Sequence, residues 1–362
     1  YEAGDFERME RVIRRRLDDP CVPEAMKERL RVQLEMAYEI PRAYPYTRAQ
    51  MLDMLQKNVA DFAEEELETL RDDGTLDWRY VNGEVRFKNN ALSALLKTRK
   101  EYAMRATDPA VMSGTKASTE QLSAMIAKMK ANGGVRARFE LHEELTVRSD
   151  RLTEGETLRI HLPMPIVGAQ VKRAELLSAS HPVAFLAPED EPQRTIYFEL
   201  PYEPGMTVSA EIAYEIDAPY AQPHAREVYA EQPVFDTEEL PPHVVFTPYL
   251  RALAKEIVGD ETNALLKARK IYDFITTQAV YRFMPPYLTV PNIPEYFLSG
   301  LRGDCGVQAI TFVTLCRLCG VPAQWQSGLY TKPNSAGHHD WARFYVAPFG
   351  WLFADCSFGG SA

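Results

Sequence analysis

Three short segments near the C-terminal end of the chain carry the residue types that thiol acyl transfer needs. The first is Gly303-Asp304-Cys305-Gly306, with an apolar helical pattern behind it. The second, His338-His339-Asp340-Trp341, opens an alternating strand, and the third, Trp351 to Asp355, is a strand that follows a short turn. A thiol is a modest nucleophile near neutral pH; a nearby imidazole lowers its pKa and later returns the proton to the leaving group. A carboxylate on the far side of the ring fixes the tautomer and its orientation. Cys305, His339 and Asp355 are therefore the candidate nucleophile, base and orienting carboxylate.

Each needs an element to position it. Ala309, Phe312, Val313 and Leu315 follow Cys305 at helical spacing, so the sulfur is expected at a helix N-terminus. The free N–H groups and positive dipole end there favour thiolate and can receive an oxyanion. From His339 to Val346 the residues alternate, placing His339, Trp341, Arg343 and Tyr345 on one face and Phe344 and Val346 on the other. His338 falls on the wrong face and outside the strand. Ala347-Pro348-Phe349-Gly350 joins this strand to the next. An odd loop of three or five residues puts His339 and Asp355 on one face as diagonal neighbours, about 7 Å apart between backbones; an even loop separates them. Trp341, Gly306 and Trp325 are the candidate substrate-contacting positions, Gly306 because it lets a substrate backbone approach and Trp341 because its bulk can exclude water from the imidazole. Taken singly, each residue has a plainer reading: a buried cysteine at a helix start, a surface histidine on a strand, a strand-end capping aspartate.

Composition bounds the rest. With 362 residues, two or three domains are expected. A hydrophobic content of 46% and a charged content of 25% are those of a soluble globular protein. The net charge of −10 argues against nucleic acid and an anionic membrane surface as partners, and no apolar run approaches the ~18 residues of a membrane span. The chain opens on Tyr1-Glu2-Ala3, neither an initiator methionine nor a signal peptide, and is expected to be trimmed. Five cysteines form no disulfide framework and favour a reducing compartment such as the cytoplasm. Cys316 and Cys319 make a C-x-x-C inside the helical run; with no second pair and no placed histidine they read as core packing, and no metal or cofactor is assigned.

Along the chain, residues 1–130 read as mainly helical. Met9, Val12, Ile13 and Leu17 form a first helix ended by Pro20, and Leu30, Leu34 and Ala37 a second that stops near Pro41. Thr47 caps a third, and Glu64-Glu65-Glu66 is a solvated helix face. Asn82-Gly83 between alternating flanks marks a type I′ hairpin, and a helix over Leu122–Met129 stops at Gly133-Gly134. Residues 135–217 are rich in alternating strands and read as a β-sandwich domain. A linker at 218–244 contains Asp236, Glu238 and Glu239, which read as solvated charges rather than calcium ligands. Residues 245–362 form the last domain, with two helices over Tyr249–Ala279 and a long irregular loop from Tyr281 to Leu298.

The segment from about 245 to 358 resembles the transglutaminase-like superfamily. The residues that carry the resemblance are Gly303-Asp304-Cys305, then Arg317-Leu318-Cys319-Gly320-Val321-Pro322-Ala323-Gln324, Ser327-Gly328, His339-Asp340-Trp341, and Gly350-Trp351 through Asp355. Gln324 stands where arginine is common and Cys319 where a small residue is usual. The resemblance implies a papain-like core with Cys305 as nucleophile, His339 as base and Asp355 as orienting carboxylate. The β-rich region, with Leu162-Pro163-Met164-Pro165, is similar to the β-domain that many bacterial members carry in front of the core. The chain ends seven residues after Asp355, where relatives usually continue with more strands, so the core is either truncated or minimal. The expected fold class is α+β multidomain: a helical N-terminal region, a β-sandwich middle domain and a papain-like transglutaminase core. The expected activity is cysteine-dependent acyl transfer on a protein or peptide amide through a thioester, with hydrolysis favoured over cross-linking. The alternative is a non-catalytic scaffold with the same fold.

Overall fold

The computed structural model describes residues 1–149, 151–332 and 335–359, with the side chains of 111–119 and 335 left aside. The last residues of the expected 245–362 span thus lie outside the described residues. Two units emerge, each with its own core: Tyr1–Ser118, Ala225–Gln326 and Trp341–Ala362 form one, and Thr119–His224 with Ser327–Asp340 the other.

The larger unit begins with α1 (Phe6–Asp18) and α2 (Glu24–Ala43), then β1 (Tyr46–Thr47), α3 (Arg48–Asn58) and α4 (Glu64–Asp72). The hairpin β2 (Trp78–Val81) and β3 (Glu84–Phe87) turns through Asn82 and Gly83 with φ of 50° and 88°, the two positive angles a type I′ turn requires. Thr47 caps α3 in a reciprocal box with Gln50. Helix α2 continues two residues past Pro41, beyond the expected stop. Proline removes one donor, and here Tyr44 N–H closes the last turn on the Ile40 carbonyl. The acidic run 64–66 is the first turn of α4, where negative charge meets the positive dipole end. Glu64 pairs with Arg48 and Glu66 with Arg105, so these carboxylates are engaged as well as accessible. The Arg105 hydrogen bond holds Glu66 down at about 2. Then come α5 (Ala91–Thr98), α6 (Lys100–Ala103) and α7 (Pro109–Asn132), the last ending before Gly133 at φ 71°.

The second unit contains β4 (Gly134–Thr146), β5 (Thr157–Pro163), β6 (Val171–Ala179), β7 (Phe185–Leu186), β8 (Thr195–Pro201) and β9 (Thr207–Pro219). They form two antiparallel sheets, ordered β4-β9-β6 and β5-β8-β7. Alternate residues of both, among them Ile160, Phe198, Val208 and Ile212, meet in one apolar cluster. Strand β6 shifts register twice against β9, which breaks the alternation by which a strand is recognised.

The rest of the larger unit holds α8 (Pro248–Val258), α9 (Ala264–Gln278), β10 (Val280–Tyr281), α10 (Ile293–Gly300), β11 (Arg302–Gly303), α11 (Cys305–Leu318), β14 (Gly350–Ala354) and α12 (Cys356–Gly359), while β12 (Ala323–Lys332) and β13 (Ser335–Val346) are divided between the units after Gln326 and before Trp341. The stretch from Tyr281 to Leu298 is not the irregular loop expected. It contains a 3-10 turn at Tyr287–Thr289 and most of α10, which Asn292 caps through the Glu295 N–H. Its proline at the second helical position is tolerated because no intrahelical donor is needed there. Helix α11 is apolar on nearly every side and packs on α8, α9, α10 and α12, so it is the buried axis of this unit. Strand β13 lies between β12 and β14. Among the described residues, no helix is long and apolar enough to cross a membrane.

Candidate active site

Cys305 is the first residue of α11, as its pattern predicts, and it is half-buried. Asp304 is the N-cap: its Oδ1 accepts the Val307 N–H at 3.1 Å and the Tyr287 hydroxyl at 2.5 Å. Gly303 is required by space. A Cβ there would lie 2.6 Å from Val307 Cγ1 and 3.0 Å from Phe297 Cδ2. The strand leading to the cysteine is tied down as well, because Tyr281 pairs in parallel with Gly303 and the Arg282 N–H donates to the Gly303 carbonyl. Gly306 is buried in the first turn of α11, and so is not an open surface in this form.

The other thiols differ in kind. Cys316 and Cys356, the latter the first residue of α12, are buried in the core, and loss of solvation pushes both pKa values up. Cys319 is at the end of α11, also raised by burial. Among the described residues, no group of three potential metal ligands comes together.

His339 lies on β13, where it is 9% exposed, and its ring meets Tyr330 edge-on at 6.0 Å. His338 is exposed and lies within β13, not outside the strand as expected, because the strand begins at Ser335. Further along the strand, Ala342, Phe344 and Val346 point into the core, while Trp341, Arg343 and Tyr345 are half-buried on the other side. Val346 pairs with Gly350, leaving a loop of residues 347, 348 and 349. This is the odd case. The register continues to Ala342 opposite Ala354, so the next position, Asp355, falls opposite 341, on the side of β13 that carries the odd-numbered residues. Gln232 holds the loop by bonding both the N–H and the carbonyl of Ala347.

Asp355 is also the cap of α12. Its Oδ1 accepts the Ser357 N–H, the Ser357 hydroxyl and the Phe358 N–H at 3.0–3.1 Å, and the Tyr272 hydroxyl donates to its carbonyl. Trp325 is on β12 and 39% exposed. Gln324, the departure from the usual arginine, bridges Arg343 and Asp236. Asp236 also faces the buried Arg317, which bonds the Glu238 carbonyl, so Asp236 is engaged in packing rather than free in solvent as expected.

Sequence reasoning missed the side chains that embed the segment before Cys305. Lys88 Nζ donates to the Phe283 and Met284 carbonyls, and burial lowers its pKa to about 8. The Lys97 ammonium lies 3.7 Å from the Tyr281 ring centre, and Asp77 pairs with Arg282. No local motif marks any of these.

The sequence pattern of the transglutaminase-like superfamily matches residues 251–356. A candidate cysteine protease from Cytophaga hutchinsonii aligns in structure with a TM-score of 0.46 at 18% identity, over 62% of this chain and 78% of that one. The periplasmic domain of TgpA from Pseudomonas aeruginosa aligns with a TM-score of 0.32 at 15% identity, over 57% and 72%. No curated protein matches the chain significantly in sequence. The chain carries, over residues 251–356, a core of the transglutaminase-like superfamily.

Proposed function

We propose that the chain is a cysteine-dependent acyl-transfer enzyme acting on protein or peptide amides. Cys305 attacks the amide carbon, the tetrahedral oxyanion faces the free N–H groups that open α11, and the amine leaves with a proton from His339. Asp355 orients the imidazole. The thioester is then cleaved, by water in preference to an amine, which regenerates the thiol. The observation that carries this reading is Cys305 at the Asp304-capped start of a buried helix, inside the residues that match the superfamily. The odd β13–β14 loop supports the assignment of Asp355.

The test is turnover of a peptide library with and without an added primary amine, read by mass spectrometry. Cys305→Ala should abolish product, and Asp355→Ala should slow it by about 10⁴-fold, as when an orienting carboxylate is lost elsewhere. Hydrolysed product in the presence of amine supports the hydrolase form; amine incorporation shifts the assignment to transferase. Unchanged turnover in Cys305→Ala would refute Cys305 as the nucleophile, and no turnover in the wild-type chain would leave the scaffold reading in its place.

A further inference from the structure

We propose that Lys97, at the end of α5, is a positioning residue that favours the thiolate of Cys305. The proposal deepens the reading of Cys305 as nucleophile and rests on it. The ammonium is held over two rings, 3.7 Å from the centre of Tyr281 and 5.3 Å from that of Phe283. Tyr281 is itself paired through its backbone with Gly303, two residues before the cysteine. The cation is thereby fixed to the strand that delivers Cys305, although the residue as a whole is exposed. Burial lowers its pKa, and the charges of Cys305 and then Asp304 act against that fall.

The charge is needed because of what else faces the sulfur. Asp304 caps α11 next to Cys305, and a carboxylate there opposes a second negative charge. Tyr287 bonds Asp304 from the preceding segment, and the Lys88 charge also acts on Asp304. Lys97 adds a positive charge that acts on both Asp304 and Cys305. The N-terminal helices thereby take part in the chemistry of a core that begins some 150 residues later.

The experiment measures the rate of iodoacetamide alkylation of Cys305 against pH by peptide mapping, in the full chain. Lys97→Met should move the midpoint of the profile to higher pH and slow labelling at pH 6.5 about three- to ten-fold, the size of a single partly screened charge. Lys97→Arg should restore the wild-type profile, and 0.5 M salt should shrink the difference between wild type and Lys97→Met. Tryptophan fluorescence verifies that the variants are folded. An unshifted midpoint in Lys97→Met overturns the proposal, and so does a Lys97→Arg profile that matches Lys97→Met, which would mark a packing role. Because the readout is alkylation rather than turnover, the result stands apart from the test of the acyl-transfer reading.

Discussion

Asp77 and Arg282 provide the sharpest test of how the N-terminal helices are joined to the core. Asp77 is 7% exposed, and its carboxylate pairs with the Arg282 guanidinium and accepts the Tyr44 hydroxyl at 3.0 Å. Arg282 Nε is buried with no partner, so Asp77 supplies most of the compensation for that charge. Asp77→Ala strands the guanidinium and the Tyr44 hydroxyl together. Breaking a buried pair from one side costs about 3–5 kcal/mol. The Arg282 side chain is 20% exposed, which lets water relieve part of the loss and places the expectation near 3 kcal/mol. With a urea slope of about 3 kcal/mol/M for a unit of this size, the midpoint should fall by about 1 M. Tryptophan fluorescence is the assay of choice, because Trp78, Trp325, Trp341 and Trp351 all lie in the larger unit. Asp77→Ala combined with Arg282→Met removes the stranded charge and should recover a substantial part of the shift. An unchanged midpoint in Asp77→Ala, or a double variant as unstable as the sum of the two single ones, would refute the argument.

Other outcomes follow from the same physical reasoning. Brief iodoacetamide treatment should label Cys305 well before Cys316 and Cys356, whose thiols burial pushes up; equal labelling would count against the half-buried helix-start site. Glu143 on β4 has both carboxylate oxygens buried without a partner, and burial raises its pKa from 4.5 to about 7. Since the folded value exceeds the unfolded one, the folded state keeps the proton longer, and stability present below pH 4.5 should be lost as pH rises through 7. Urea unfolding followed by circular dichroism should show this loss in the wild-type chain and a flatter profile in Glu143→Gln; the same slope in both would exclude Glu143 as its source. Thr47→Ala removes the side-chain cap of α3 and should cost about 1 kcal/mol, seen as a fluorescence midpoint lowered by about 0.3 M urea.

Much of the candidate site was legible because its determinants are local. Ala309, Phe312, Val313 and Leu315 follow Cys305 at helical spacing, which places Cys305 at a helix N-terminus without reference to any distant residue. Alternation from His339 to Val346 and the short Ala347–Gly350 connection reduced the relation of Asp355 to β13 to a question of loop parity. Asn82-Gly83 and the Thr47 cap were readable for the same reason: a turn type or a cap is satisfied by neighbours within a few residues.

What tertiary structure alone decided is which parts of the chain hold the approach to Cys305. Lys88 reaches the Phe283 and Met284 carbonyls across nearly 200 residues, Asp77 selects Arg282, Lys97 covers Tyr281, and Tyr287 joins Asp304. A lysine on a helix and an aspartate before a strand look in sequence like solvated charges. Each meets its partner, a ring for Lys97 and a guanidinium for Asp77, only when distant segments pack together. Likewise α10 escaped notice because proline and short length mask a helix whose stability comes from burying Ile293, Phe297 and Leu298 against the core. Periodicity and capping are written residue by residue; the choice of partner is made by the shape of the folded chain.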